Sequence, residues 1–237
     1  MSMMRHILFT RLLAEDLLQE ASLRGIAITC LPFIETRTVV PSPLAPIWHE
    51  LASQPIWAVF TSMHAVEAVF TGRADRSHPL PWRIYALGGE TARAVERFQR
   101  VRPSITADDA AALAMLITQQ YIPGSNVPVY FFCGNLRRDT LPEKLRQAGI
   151  PLQEIIVYET RLTPQKIERP FDGYAFFSPS AVESFFTLNH LPEPVPCFAI
   201  GETTAKALQA YTQHIIISPQ PRTRFLLESI YTYFADT

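Results

Sequence analysis

Phe60-Thr-Ser-Met-His-Ala-Val-Glu-Ala-Val-Phe70 returns 116 positions later as Phe176-Phe-Ser-Pro-Ser-Ala-Val-Glu-Ser-Phe-Phe186, with six of the eleven residues identical. The next segment returns as well. Ala86-Leu-Gly-Gly-Glu-Thr-Ala-Arg-Ala94 matches Ala199-Ile-Gly-Glu-Thr-Thr-Ala-Lys-Ala207 at an offset of 113. Each begins at the end of a short apolar run and passes through hydroxyl and small residues into a helical pattern, which reads as strand, turn and helix. A weaker correspondence sets the strand and helix before Gly25 against those before Gly149, each glycine being followed by Ile and another strand. The order is A-B-C-A′-B′-C′, so the chain holds two similar doubly wound domains.

Working outward, the same rhythm fills the chain. Arg5 to Phe9 reads as a strand, Glu15 to Arg24 as a helix stopped by Gly25, and Ile26 to Leu31 as a second strand. Further strands are expected at Trp57 to Phe60, Ile84 to Leu87, Val129 to Cys133, Ile155 to Tyr158, Tyr174 to Phe177, Cys197 to Ile200 and Ile215 to Ile217. Near-continuous apolar strands between helices predict an α/β fold whose parallel sheets are covered on both faces. The Pro- and Thr-rich segment 32–46 and the polar segment 159–170 read as extended crossings. Two crossings make the first domain discontinuous: 1–35 with 162–237 form one α/β domain, 38–158 the other, and 32–40 and 159–170 the crossings.

Composition excludes several functions. Lys and Arg number 21 against 22 Asp and Glu, so a net charge of -1 offers no general pull toward nucleic acid or acidic lipid. Cys30, Cys133 and Cys197 are odd in number and lack C-x-x-C spacing, against a disulfide framework or a zinc site and in favour of a reducing cytoplasm. The apolar run Ile7 to Phe9 is too short for a signal peptide, and no run reaches the 18 or so residues of a membrane span. Neither G-x-G-x-x-G nor G-x-x-x-x-G-K-[ST] occurs, which disfavours a nucleotide-dependent enzyme. Asp108-Asp109 precedes an Ala-rich helical run and reads as an N-cap, not a metal pair.

In each repeat a strand delivers hydroxyls and glycines into a helix: Thr61 and Ser62, Gly88 and Thr91, Ser178 and Ser180, and Gly201, Thr203 and Thr204. Such turns lie at the carboxyl ends of strands, where open α/β sheets bind ligands and helix N-terminal amides attract carboxylates. Helix capping is the simpler reading of any one of them; as a twice-repeated set facing one cleft they are also candidate ligand contacts. Tyr158 ends an apolar strand where a crossing begins, so its phenol is expected beside the interdomain cleft, with plain packing as the alternative. Arg11 and Arg138 are solvent-exposed charges by default and carboxylate clamps if the ligand is acidic.

Phe9-Thr10-Arg11, Phe60-Thr61-Ser62 with Ala65-Val66, Gly88 with Thr91-Ala92, Gly134 with Arg138 and Leu141, Val157-Tyr158 with Thr160, Phe177 to Val182, and Gly201 with Thr203-Thr204-Ala205 stand in the order and spacing of one family. Over essentially its whole length the sequence resembles the uroporphyrinogen-III synthases. It departs from them in Leu12, where a proline is usual, and in Cys133, where an arginine is common. The resemblance implies two flavodoxin-like domains joined by a two-stranded linker, an active site in the cleft between them, and no cofactor. It implies hydroxymethylbilane as substrate, received from the preceding enzyme of the pathway, and uroporphyrinogen III and water as products. It also assigns Tyr158 to the departing hydroxyl, and Thr10, Arg11, the paired turns and Arg138 to the substrate. A cleft that opens and closes favours a monomer. A degenerate relative, and a two-domain ligand-binding protein of periplasmic type, are the competing expectations.

Overall fold

The structure is a computed structural model that describes residues 4–39, 50–71, 78–122, 124–125, 127–192 and 194–235. It divides into two units, Met1–Glu35 with Arg161–Thr237, and Thr36–Thr160. Part of the expected first crossing, 40–46, lies outside the described residues.

In the first unit the strands are β1 (Arg5–Phe9), β2 (Ile26–Cys30), β9 (Gly173–Phe176), β10 (Cys197–Ala199) and β11 (Ile215–Ile217). They form one sheet in the order β11-β10-β9-β1-β2, with every neighbouring pair parallel. Helices α1 (Glu15–Leu23), α6 (Pro179–Phe186), α7 (Glu202–Leu208) and α8 (Thr223–Ala235) cover it. The sheet is apolar on both faces because successive strand residues point opposite ways. Leu8, Tyr174 and Phe176 pack on one face, and Ile7, Phe9 and Ala175 on the other.

The second unit has β4 (Trp57–Phe60), β5 (Arg83–Leu87), β6 (Ile105–Ala107), β7 (Val129–Gly134) and β8 (Leu152–Leu162), with β3 (Ile34–Thr38) at its edge, in the order β3-β8-β7-β4-β5-β6. Its helices are α2 (Met63–Thr71), α3 (Glu90–Gln99), α4 (Ala110–Gln120) and α5 (Thr140–Gln147). Phe60, Phe132 and Trp82 stack in series on one face, at centroid spacings of 5.2 and 5.4 Å. Burying each such ring contributes about 2–3 kcal/mol.

The repeats now acquire a topology. Pairing β9 with β4, β10 with β5, β11 with β6, β1 with β7 and β2 with β8 superposes one strand order on the other. The first unit visits its sheet in the flavodoxin-like order 2-1-3-4-5. The second is the same sheet entered at the third strand, a circular permutation, which is what A-B-C-A′-B′-C′ requires. Gly25 and Gly149 do equivalent work: with φ of +77 and +70° they end α1 and α5 in the left-handed conformation.

Three elements differ from the sequence reading. The strand expected at Ile155 to Tyr158 is eleven residues long, Leu152–Leu162, so the second crossing begins as strand. Thr163 N donates to Phe33 O and Val39 N to Val157 O, which makes β3 and β8 an antiparallel pair carrying the chain between units. The polar residues Glu159, Thr160 and Arg161 mask this strand from a hydropathy reading. The third element, β6, is only three residues long and has no apolar run to announce it.

Candidate active site

Parallel strands send all their following turns out by one edge. In the second unit Thr61 and Ser62 leave β4, Gly88 leaves β5, and Gly134 and Asn135 leave β7, all at that carboxyl edge. Tyr158 sits on β8 opposite Gly134.

Tyr158 is held closely there. The β7–β8 register runs regularly to Cys133↔Ile156 and then jumps to Gly134↔Tyr158, a β-bulge that skips Val157. The tyrosine ring lies over Gly134, whose missing side chain leaves the room: a Cβ there would stand 2.5 Å from Cζ. His64 approaches the ring at 5.8 Å between centroids. Burial raises the phenol's pKa, a side-chain hydrogen bond with Ser62 pulls it partly back, and Cys133 adds a smaller upward push. The phenol is therefore a neutral donor at physiological pH.

Ser62 has a second task, its Oγ accepting from His64 N at 3.2 Å at the start of α2. Beside it Thr61 is half-buried. Gly88 donates its amide to Ala107 O at 2.8 Å, and Thr91 is buried within α3. Arg138 is exposed, whereas its neighbour Arg137 is tied to Asp139 and Glu154. Burial followed by Glu154 drives the Cys133 thiol to about 11, against the opposing pull of Arg137.

The first unit has a matching edge. Thr10 lies there but is buried, and its hydroxyl and amide both donate to Ala175 O at 3.0 Å, so it fastens β1 to β9. Arg11 is exposed, with its guanidinium carbon over the Phe177 ring, 4.6 Å from its centroid. Ser178 is the N-cap of α6 and accepts from Ala181 N at 3.1 Å. Ser180 and Gly201 are half-buried, Thr203 is exposed and Thr204 is buried. A hollow of about 540 Å³ lined by Lys166, Arg169, Phe185 and His190 opens at the opposite, amino-terminal edge of this sheet and contains none of these residues.

The geometry thus sorts the expected residues. Thr10, Thr91 and Thr204 are turned into the protein, Ser178 is committed to a cap, and Arg11, Ser180, Thr203 and Arg138 remain accessible. A family model described as Uroporphyrinogen-III synthase HemD matches residues 15–228. The chain belongs to the uroporphyrinogen-III synthase family. A curated relative, the uroporphyrinogen-III synthase of Saccharomyces cerevisiae, is 27% identical over 177 residues, covering 63% of this chain and 64% of that protein. The match therefore spans just under two thirds of the relative's length.

Solved uroporphyrinogen-III synthase family structures share the fold. A mutant uroporphyrinogen III synthase from the extremely thermophilic bacterium Thermus thermophilus superposes with a TM-score of 0.66 at 18% identity, covering 97% of each chain. A uroporphyrinogen-III synthetase from Helicobacter pylori 26695 gives 0.66 at 19% identity, covering 97% of this chain and 100% of that one. Among the described residues no helix is long and apolar enough to cross a membrane.

The sequence reading did not single out His64, Asn135 or the bulge. A signal for the bulge was present, since a glycine closing an apolar strand pattern marks a bulge or a close approach. Nothing in sequence spacing indicates which residue the glycine accommodates.

Proposed function

We propose that this protein is an active uroporphyrinogen-III synthase, a cofactor-free lyase that cyclises hydroxymethylbilane to uroporphyrinogen III with inversion of ring D and loss of water. The observation that carries the reading, beyond family membership, is the Tyr158 phenol: neutral, fixed over Gly134 at a strand-end edge and paired with Ser62. Such a group donates to a departing hydroxyl without needing to ionise.

The pyrrole nitrogen expels that hydroxyl and leaves an azafulvene. The substituted carbon of ring D attacks it, and the resulting spiro intermediate reopens and recloses inverted. Because the linear substrate also closes unaided, to the symmetrical type I isomer, the protein contributes mainly geometry. Its carboxylates are received by the accessible strand-end donors, Arg11, Ser180 and Thr203 in the first unit and Thr61 and Arg138 in the second. Cys30, Cys133 and Cys197 are all unpaired, which supports a cytoplasmic enzyme. It acts as a monomer and takes its unstable substrate from the enzyme that makes it.

The test supplies freshly made hydroxymethylbilane and separates type I from type III product by chromatography after oxidation. Type III product supports the reading, with Tyr158→Phe slower and less selective. Type I product alone sinks it, and a Tyr158→Phe enzyme of full rate and selectivity sinks the role of the phenol.

A further inference from the structure

We infer that Asn135 is a positioning residue for Tyr158, closing the β-bulge that aims the phenol. The inference rests on the proposed role of Tyr158. Past the bulge β7 ends at Gly134, so the outgoing half of β8 keeps its backbone pairing with β3 on one edge and has no regular β7 ladder on the other. Asn135 replaces the ladder. Its backbone N–H donates to Tyr158 O at 3.3 Å. Its side-chain Nδ2 donates to Thr160 O at 3.2 Å, while Oδ1 accepts from Thr160 N at 2.8 Å.

The side-chain amide thus acts as a peptide group, supplying the two-way rung that a strand residue would have made. Tyr158 and Thr160 point to the same side of β8, so a hold on both their backbones fixes the direction of the tyrosine Cα–Cβ bond. Gly134 then receives the ring. Asp at 135 lacks the donor for Thr160 O, and Gln is one methylene too long for the same rung. Asn135 is exposed and lies outside the core clusters, so its loss is felt by β8 more than by the fold.

The experiment compares Asn135→Ala and Asn135→Asp, each in the wild-type and the Tyr158→Phe background, measuring kcat, KM, the type III fraction and the melting midpoint. With Tyr158 present, both variants lower kcat on the order of tenfold and reduce the type III fraction, with KM little changed. In the Tyr158→Phe background the same substitutions lower kcat no further, because the group they aim is already gone. An equal fractional loss in both backgrounds, or none in either, overturns the inference while leaving Tyr158 its role. A fully active Tyr158→Phe enzyme overturns both.

Discussion

The ring of Tyr158 lies across Gly134: a Cβ added to that glycine would come within 2.6 Å of Cε2 and 2.9 Å of the phenolic oxygen. The backbone at Gly134 is not in the left-handed region, so alanine meets no conformational objection there, only the ring. Gly134→Ala is expected to cost about 1–3 kcal/mol by overpacking. In a Tyr158→Ala background the same change costs nothing or stabilises by about 0.5 kcal/mol through the unfolded chain. Urea unfolding of the four proteins measures the coupling, and an equal cost in both backgrounds would contradict this geometry.

Ser62 and Tyr158 make a pair whose pH behaviour has a definite sign. Burial raises the phenol's pKa above 10.0 and the Ser62 hydrogen bond lowers it from that raised position. Removing the hydroxyl in Ser62→Ala therefore moves the titration of Tyr158 further up, not down. Phenolate absorbance of wild type minus Tyr158→Phe, followed against pH and repeated in the Ser62→Ala background, checks this. A downward shift would mean that Tyr158 donates to Ser62 in the resting enzyme.

Thr10 and Thr203 are both expected substrate contacts and differ in the structure. The Thr10 hydroxyl is buried and donates to Ala175 O. Thr10→Val is expected to cost about 1 kcal/mol of stability and leave KM unchanged. Thr203 is exposed at the start of α7, so Thr203→Val should raise KM severalfold with a stability change within about 0.5 kcal/mol. Urea midpoints and KM for the two variants separate these outcomes.

Two buried thiols set an alkaline limit on stability. Burial pushes Cys133 to about 11 and Cys197 to about 12, from an ordinary 9.0. Below pH 9.0 both are protonated, folded or unfolded, and the stability associated with them is fully present. Above it the unfolded chain ionises first, so stability falls by about 1.4 kcal/mol per pH unit for each thiol until the folded thiols titrate in turn. Unfolding free energies measured from neutral pH to about pH 10 should be flat and then decline, and Cys197→Ala should remove one thiol's share of the slope.

The internal repeat made most of the fold legible, because a strand that is apolar throughout and a helix entered through Ser, Thr or Gly leave their marks in a few adjacent residues. β8 was read only in part: its pairing with β3 is made by backbone groups that are indifferent to side chains such as Glu159 and Arg161. The site divides in the same way. Tyr158 and Ser62 stand out by position after apolar strands, but Thr10 and Thr203 are told apart only by burial, which depends on neighbours remote in sequence. Asn135 is invisible for that reason as well, since its partner is the backbone of Thr160, and backbone has no letter in the sequence.

The permutation relating the two units predicts that the first can be freed from the second. Its core clusters contain only residues before Ile34 and after Leu162, apart from the peripheral Ile34 itself. The chain leaves and returns through neighbouring antiparallel strands, with Phe33 O accepting from Thr163 N at 3.0 Å. Glu35 can therefore be joined to Arg161 by a two-residue Asn-Gly turn, the connection that suits an antiparallel pair. The product would be an uninterrupted sheet in the order β2-β1-β9-β10-β11, each strand covered as before. A cooperative thermal transition with retained helical circular dichroism is expected. A gradual transition together with strong binding of a hydrophobic dye would show that this unit depends on the other to fold.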